Sequence, residues 1–255
     1  MNHGFIGFGN VAKAIYKGLQ SNKDHSFRYL SKHNNSTELN ASSSLPELID
    51  FSDVLWLCVK PQDLSGVLEE LKQLNLNSKI VVSPVAGVPI NYIEESTGAE
   101  VCIVRIMPNL AIAYQQSVTA FCSNNEEHIY LDDLKKDLSA VGRLVEINES
   151  HFHLYTALFG SGPAFLLSLF NVFKRKIIDL DIEDSVAQDL LVDLLKGTTT
   201  YLENNKQLKI YQLIENITSK GGTTEAGLDY GKKHNLEEIL ENVLLETEKK
   251  SQRLF

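Results

Sequence analysis

Two short glycine-bearing stretches hold the residue types that could do chemistry. The first, Gly7-Phe8-Gly9-Asn10-Val11-Ala12, ends a short apolar run and opens a helix-like repeat, the spacing with which a chain wraps a dinucleotide pyrophosphate. Gly7 permits the tight turn, Gly9 lets phosphates approach bare backbone, and Ala12 allows close helix-to-strand packing. The second, "ITSKGGTTEAGL" from Ile217 to Leu228, interrupts a helix-rich third of the chain. Gly221 and Gly222 again allow close backbone approach. A helix starting at Thr223 or Thr224 would present unpaired N–H groups and a positive dipole end to a carboxylate or phosphate. An ordinary N-cap uses the same residue types, so this stretch taken alone fits a cap or a ligand site.

The elements that position these stretches divide the chain in two. In the first half, apolar runs alternate with helical spacing: "HGFIGFG" precedes "VAKAIYKGL", whose Val11, Ile15 and Leu19 share a helical face, and further strand candidates are "SFRYLSK", "DVLWLCVKP", "KIVVSPVAG", "EVCIVRIMP", "VTAFCSN" and "GRLVEIN". Strands alternating with helices imply parallel pairing through crossover helices, an α/β domain over residues 1–148. "NNSTELNASSS" reads as a polar loop. From 149 to 255 the pattern is helical throughout, so a second, all-helical domain is expected. Within it, Leu154 to Phe173 carries no charge and is long enough to span a membrane. Gly160, Ser161, Gly162 and Pro163 break its middle, and the expectation is a helix buried against other helices, those of a second chain included.

Composition excludes several classes. With 255 residues, 43% of them hydrophobic, and a formal net charge of -9, the chain is globular and offers no cationic footprint for nucleic acid or an anionic membrane surface. Cys58, Cys102 and Cys122 are odd in number and lack Cys-x-x-Cys spacing, which points to free thiols in a reducing cytoplasm rather than a disulfide frame or zinc site. "MNHGFIGFGN" lacks the basic region and long apolar segment of a secretory signal. His151 and His153 lie two apart, a spacing that puts them on different helix faces, so no metal is expected.

The end of the second strand bears on the cofactor. Where an NAD enzyme offers an acid to the ribose hydroxyls, this chain reads "YLSKHNNS". Ser31 and Lys32 suit a 2′-phosphate, which favours NADPH and leaves NADH as the alternative.

Taken together, "GFIGFGNVAKAI", "DVLWLCVKPQ", "VVSPVAGV", "VRIMPN", "TALFGSGPAF" and "ITSKGGTTEAGL" occur in the order found in pyrroline-5-carboxylate reductase, and the chain resembles that family from its first strand to its last helices. The resemblance implies an N-terminal Rossmann-type domain, a helical C-terminal domain that makes a homodimer or a larger assembly, and reduction of a cyclic imine to proline at the expense of NADPH. It places Gly7, Phe8, Gly9, Asn10 and Val11 at the pyrophosphate and Ser31 with Lys32 at the adenosine end. Val59, Lys60, Pro61, Pro84, Val85 and Ala86 would flank the nicotinamide ribose, with Asn109 and Asn216 also on the cofactor side. Ser219, Gly221, Gly222, Thr223 and Thr224 would receive the substrate, Thr224 facing the imine nitrogen. Glu149 either polarises a water there or starts a helix.

A protonated imine needs orientation more than acid–base help, which fits the lack of a nucleophile–base set. The chain departs from the family at Leu110-Ala111 and Tyr114-Gln115-Gln116-Ser117 after "MPN", at Phe159 before "GSGPAF", and at Lys220 before the two glycines. Two other functions stay open on these residues: a related reductase of another small imino or keto carboxylate, and a non-catalytic NADP-binding sensor. Relatives of the first kind use a lysine that the Leu154 to Phe173 segment lacks.

Overall fold

The computed structural model describes residues 1–32, 39–98 and 100–254. Its first compact unit, Met1–Ser161 with Leu245–Phe255, is built on one eight-stranded sheet. In chain order the elements are β1 (Asn2–Ile6), α1 (Asn10–Leu19), β2 (Ser26–Leu30), β3 (Asn40–Ala41), α2 (Leu45–Phe51), β4 (Val54–Leu57), α3 (Pro61–Leu71), β5 (Ile80–Ser83), α4 (Ile90–Thr97), β6 (Cys102–Met107), a 3-10 helix (Leu110–Tyr114), β7 (Ser117–Ser123), α5 (Leu131–Ala140), β8 (Gly142–Glu146) and the short α6 (Phe152–Tyr155). The strand order is β3-β2-β1-β4-β5-β6-β7-β8, and each expected strand is present.

Alternate strand residues enter different cores, as a sheet covered on both faces requires. Phe5, Trp56, Val82 and Val104 pack with Ile15 of α1 and Leu134 of α5. Leu55, Leu57, Val81 and Ile103 pack with Leu48 of α2, Leu64 of α3 and Ile93 of α4. Burying each of these large side chains contributes roughly 1.5–3 kcal/mol, which is why the apolar runs set the strands.

Three local readings change. The polar stretch before α2 holds the two-residue strand β3, pairing Arg28 with Asn40 and Tyr29 with Ala41. β7 runs antiparallel to β6, because the link between them is a single 3-10 turn, too short for the crossover that parallel pairing needs. The buried face of α1 is Ala12, Ala14, Ile15, Gly18 and Leu19, whereas Val11 is 39% exposed at the first turn.

The second compact unit, Gly162–Leu244, contains α7 (Gly162–Ile178), α8 (Asp184–Asn204), α9 (Ile210–Ile217), α10 (Thr223–Lys233) and most of α11 (Leu236–Gln252). By packing, the first unit runs on through Ser161 and takes in Leu245–Phe255. Glu149 to Ser161 stays with the sheet, where Phe152 and Tyr155 pack on Met107 and Ala120. The expected burial of the uncharged helix is not provided by its own chain: Leu166, Leu167, Leu169 and Phe173 are 45–66% exposed. The span Glu149–Ile178 is long and apolar enough to cross a membrane by length and composition, with a mean hydropathy of 1.4.

His3 on β1 is fully buried, and Trp56 Nε1–H donates to its Nδ1 at 3.2 Å. Burial, reinforced by His25 and the N-terminal amine, lowers its pKa from an ordinary 6.5 to about 3. Between these values the unfolded chain binds a proton that the native protein refuses, so the stability this neutral ring confers is complete above about pH 6.5 and is lost as pH falls toward about 3. Urea unfolding at stepped pH is expected to show that slope in wild type and a shallower one in His3→Gln, whose amide oxygen can still accept from Trp56.

Candidate active site

The chain leaves β1 through Gly7 at φ 83°, where a Cβ would lie 2.5 Å from the Cys58 carbonyl oxygen. Gly7 N–H donates to Leu30 O at 2.8 Å, and Cys58 N–H donates to Ile6 O at 2.8 Å, so the turn is wedged between the ends of β2 and β4. Gly7 is therefore required by the fold itself. Gly9 is not: its φ is an ordinary -85°, and a Cβ there would meet nothing within 4 Å. The open space before Gly9 faces the start of α1, which has no side-chain cap and no acid in its first turn. The first-turn N–H groups of Asn10, Val11 and Ala12 have no acceptor among the described residues. Uncapped N–H groups beside a glycine with open space suit an anionic group such as a dinucleotide pyrophosphate. Phe8, by contrast, points inward and packs on Phe5 and Tyr29, so only its backbone faces the turn.

Next to the turn, at the carboxyl ends of β4, β5 and β6, lies a cavity of about 330 Å³. The sheet order reverses between β1 and β4, and the crevice at such a reversal is where open α/β sheets take ligands. Of the residues expected around the nicotinamide ribose, Val59, Pro61, Pro84, Val85 and Ala86 line the cavity, joined by Val11 and Asn109. Lys60 caps the start of α3 and is exposed rather than lining it. Ser31 is half-buried and Lys32 exposed just past β2, while His33 to Glu38 lie outside the described residues.

The amide of Asn109 is committed to the protein. Its Oδ1 accepts from Ala111 N–H at 3.0 Å and its Nδ2 donates to Phe159 O at 3.1 Å. The second bond fastens a π-helical turn, Thr156–Gly160, in which Ser161 N–H donates to Thr156 O at 2.8 Å. Thr156, Gly160 and Ser161 line the cavity beside Met107, a wall that sequence reasoning missed because one inserted residue in a helix leaves no periodic signal. Of the unusual residues after "MPN", Leu110 lines the cavity rim while half-exposed, Ser117 is buried with its Oγ accepting from Asn109 N–H at 3.2 Å, and Tyr114 is exposed with Lys17 over its ring.

Glu149 is absent from the cavity lining. Its Oε1 accepts from Ile90 N–H at 2.7 Å and from Arg105 Nη1 at 2.9 Å. Arg105 is 2% exposed, and its guanidinium lies 4.6 Å from the centre of the Phe152 ring. Arg105 was also missed; a lone charge inside the apolar run "VCIVRIM" was the available signal. His151 is exposed, and His153 Nδ1 sits 3.1 Å from Ser251 Oγ. Among the described residues, the group able to gather around a metal is His3, His25 and Asp137. The Trp56 bond fixes the His3 proton on Nε2, the nitrogen a metal would need, so this set does not suit one. Burial raises the pKa of the Cys58 and Cys122 thiols, which makes both poor nucleophiles.

The other expected residues belong to the second unit. α10 starts at Thr223 behind Gly222, with no side-chain cap. Gly221 adopts φ 73°, its N–H donating to Glu225 Oε2 at 2.6 Å, and Gly222 N–H donates to Ser219 O at 2.9 Å. The N–H groups of Thr223, Thr224 and Glu225 have no acceptor among the described residues. Ser219, Thr223 and Thr224 are exposed, as are Lys220 and Asn216.

Comparison with known proteins agrees with both halves. The family model for pyrroline-5-carboxylate reductase dimerisation matches residues 149–254, and that for NADP oxidoreductase coenzyme F420-dependent matches residues 2–87. The chain is 34% identical over 253 residues to the pyrroline-5-carboxylate reductase of Staphylococcus haemolyticus, covering 94% of this chain and 93% of that one. It is 34% identical over 252 residues to that of Staphylococcus aureus, at 94% and 93% coverage. Among solved structures, Plasmodium falciparum pyrroline carboxylate reductase with NADP bound superposes at a TM-score of 0.93, with 26% identity over 100% of this chain and 98% of the other. The Streptococcus pyogenes 1-pyrroline-5-carboxylate reductase gives 0.87, with 26% identity over 99% and 98%. Sequence identity of 34% that runs nearly the length of both chains, on the same fold, makes this protein a member of the pyrroline-5-carboxylate reductase family.

Proposed function

We propose that the protein reduces 1-pyrroline-5-carboxylate to L-proline with NADPH, as a cytoplasmic homodimer. The observation that carries this reading is the Gly9 turn, a glycine the fold does not need at an uncapped helix start, in a chain 34% identical to pyrroline-5-carboxylate reductases. Gly7, Gly9, Asn10 and Val11 hold the pyrophosphate through backbone N–H groups. Ser31 and Lys32 take the 2′-phosphate. Val59, Pro61, Pro84, Val85 and Ala86 enclose the nicotinamide ribose, Lys60 stands at its edge, and Asn109 shapes the cavity through the π turn rather than by a free amide.

In the second unit, the N–H groups at the start of α10 hold the substrate carboxylate, and the Thr224 hydroxyl orients the ring nitrogen. Gly221 and Gly222 let the substrate approach, and Ser219, Thr223 and Asn216 border the same loop. When bound, NADPH supplies a hydride to the imine carbon; the nitrogen keeps its proton and takes the C=N π electrons as its lone pair. The residues contribute orientation and exclusion of water rather than proton transfer. The apolar residues exposed on α7 and α8 are what a second copy covers, because soluble monomers rarely leave such a face bare.

Turnover of pyrroline-5-carboxylate and NADPH by the purified protein tests the reading; cofactor binding without turnover would defeat it. Gly9→Ser should leave stability within about 0.5 kcal/mol, since Ser is a good N-cap and meets no atom, yet weaken NADPH by roughly tenfold or more. Gly7→Ala, strained at its left-handed φ, should lose roughly 1–3 kcal/mol in urea unfolding. Lys32→Ala should narrow the preference for NADPH over NADH in paired titrations. Thr224→Ala should lower kcat/KM at least several-fold, as loss of a hydrogen bond worth about 0.5–1.5 kcal/mol implies, while NADPH affinity holds. Full activity in that variant would leave Thr224 a structural residue.

A further inference from the structure

We propose that Arg105 and Glu149 are positioning residues for the cofactor: they hold the loop from Pro84 to Pro89 that forms one wall of the cavity. The inference rests on the NADPH reading given above. The loop leaves β5 at Ser83, supplies Pro84, Val85 and Ala86 to the cavity, and ends at Ile90, the first residue of α4. At its far end, Ile90 N–H donates to Glu149 Oε1 at 2.7 Å, an acid placed at a helix start, where the dipole favours it. At its near end, Ser83 is the β5 residue registered opposite Arg105 on β6. Arg105 then donates from Nη1 to the same Glu149 oxygen at 2.9 Å. One buried cation thus sits opposite the start of the loop and pairs with the acid that holds its end.

The arrangement carries a cost that a mere filler of the core would avoid. An arginine 2% exposed inside an apolar strand must be paired, and its Nε and Nη2 have no partner among the described residues. The guanidinium also sits over the Phe152 ring, 4.6 Å from its centre, a favourable cation–π contact. The middle of the loop is confined as well: a Cβ on Gly87, at φ 84°, would lie 2.9 Å from both Ser251 O and Leu254 Cβ. Since Glu149 is absent from the cavity lining and spends Oε1 on Ile90 and Arg105, it acts through the loop rather than on a reacting atom.

The test uses the full-length protein as wild type, Glu149→Gln, Arg105→Met, the double variant, and Leu138→Ala as a control for destabilisation alone. NADPH binding is measured by fluorescence titration, thermal unfolding by calorimetry, and kcat at saturating NADPH across pH. Glu149→Gln keeps an acceptor for Ile90 but loses the charge facing Arg105, and its NADPH Kd should rise about three- to tenfold. Its kcat should stay within about twofold of wild type, the change expected when only uniform binding is lost, and its pH profile should not move. The double variant should bind no worse than the weaker single variant, because the two residues act as one unit. Leu138→Ala should lower Tm and leave Kd unchanged.

An unchanged Kd in Glu149→Gln overturns the proposal. So does a fall in kcat with a moved pH profile at constant Kd, which would make Glu149 a catalytic residue, or a rise in Kd for Leu138→Ala equal to that of Glu149→Gln. If wild type binds NADPH but never turns over pyrroline-5-carboxylate, the proposed function fails while the Kd comparison still decides this one; if wild type binds no NADPH, both fall.

Discussion

At the end of β1 the backbone has to reverse within reach of the Cys58 carbonyl while its own N–H remains bonded to the end of β2. Only a left-handed residue without a Cβ meets both demands, and Gly7 meets them. α1 begins three residues past that turn, behind the open space at Gly9, with no side-chain cap on its first N–H groups. The reversal of strand order between β1 and β4 supplies the crevice alongside. The residues of the first unit proposed for the cofactor lie on elements that leave the sheet at its carboxyl edge, so a change at Gly7 would disturb fold and binding together, whereas Gly9 separates them.

The two units obey different physics. In the first, strands buried on both faces provide two cores and the ligand cavity is a by-product of sheet topology. In the second, Gly162, Ala187, Leu191 and Leu213 are the buried residues of helices that otherwise leave much apolar surface open. Such a surface suits cover by another copy, and the match to a dimerisation family over residues 149–254 agrees with that.

What the sequence disclosed was what has a period or a required residue. Apolar runs marked all the long strands, and the spacing of Gly7, Gly9 and Ala12 marked the turn. What it concealed depends on contacts between distant segments or on small departures from regularity. The β7 direction follows from a connection too short to cross over. The two-residue β3 carries no pattern. Val11 matched a helical face in sequence, yet it stands on the first turn, before that face meets the sheet. Asn109 read as a residue beside the cofactor and Glu149 as either a water-polarising acid or a helix start; Glu149 does open a 3-10 turn, and both bond to the protein across long sequence separations. The first is joined to a π turn and the second to a buried arginine, neither of which has a periodic signature.

The central claim is that a hydride passes from NADPH, held by the first unit, to a cyclic imine held at the start of α10. The most direct measurement is isotope transfer: NADPH carrying deuterium at both nicotinamide C4 positions is incubated with pyrroline-5-carboxylate and the protein, and the proline formed is weighed by mass spectrometry. One deuterium on the former imine carbon is the predicted result. Bound cofactor that never passes its label into proline would contradict the account.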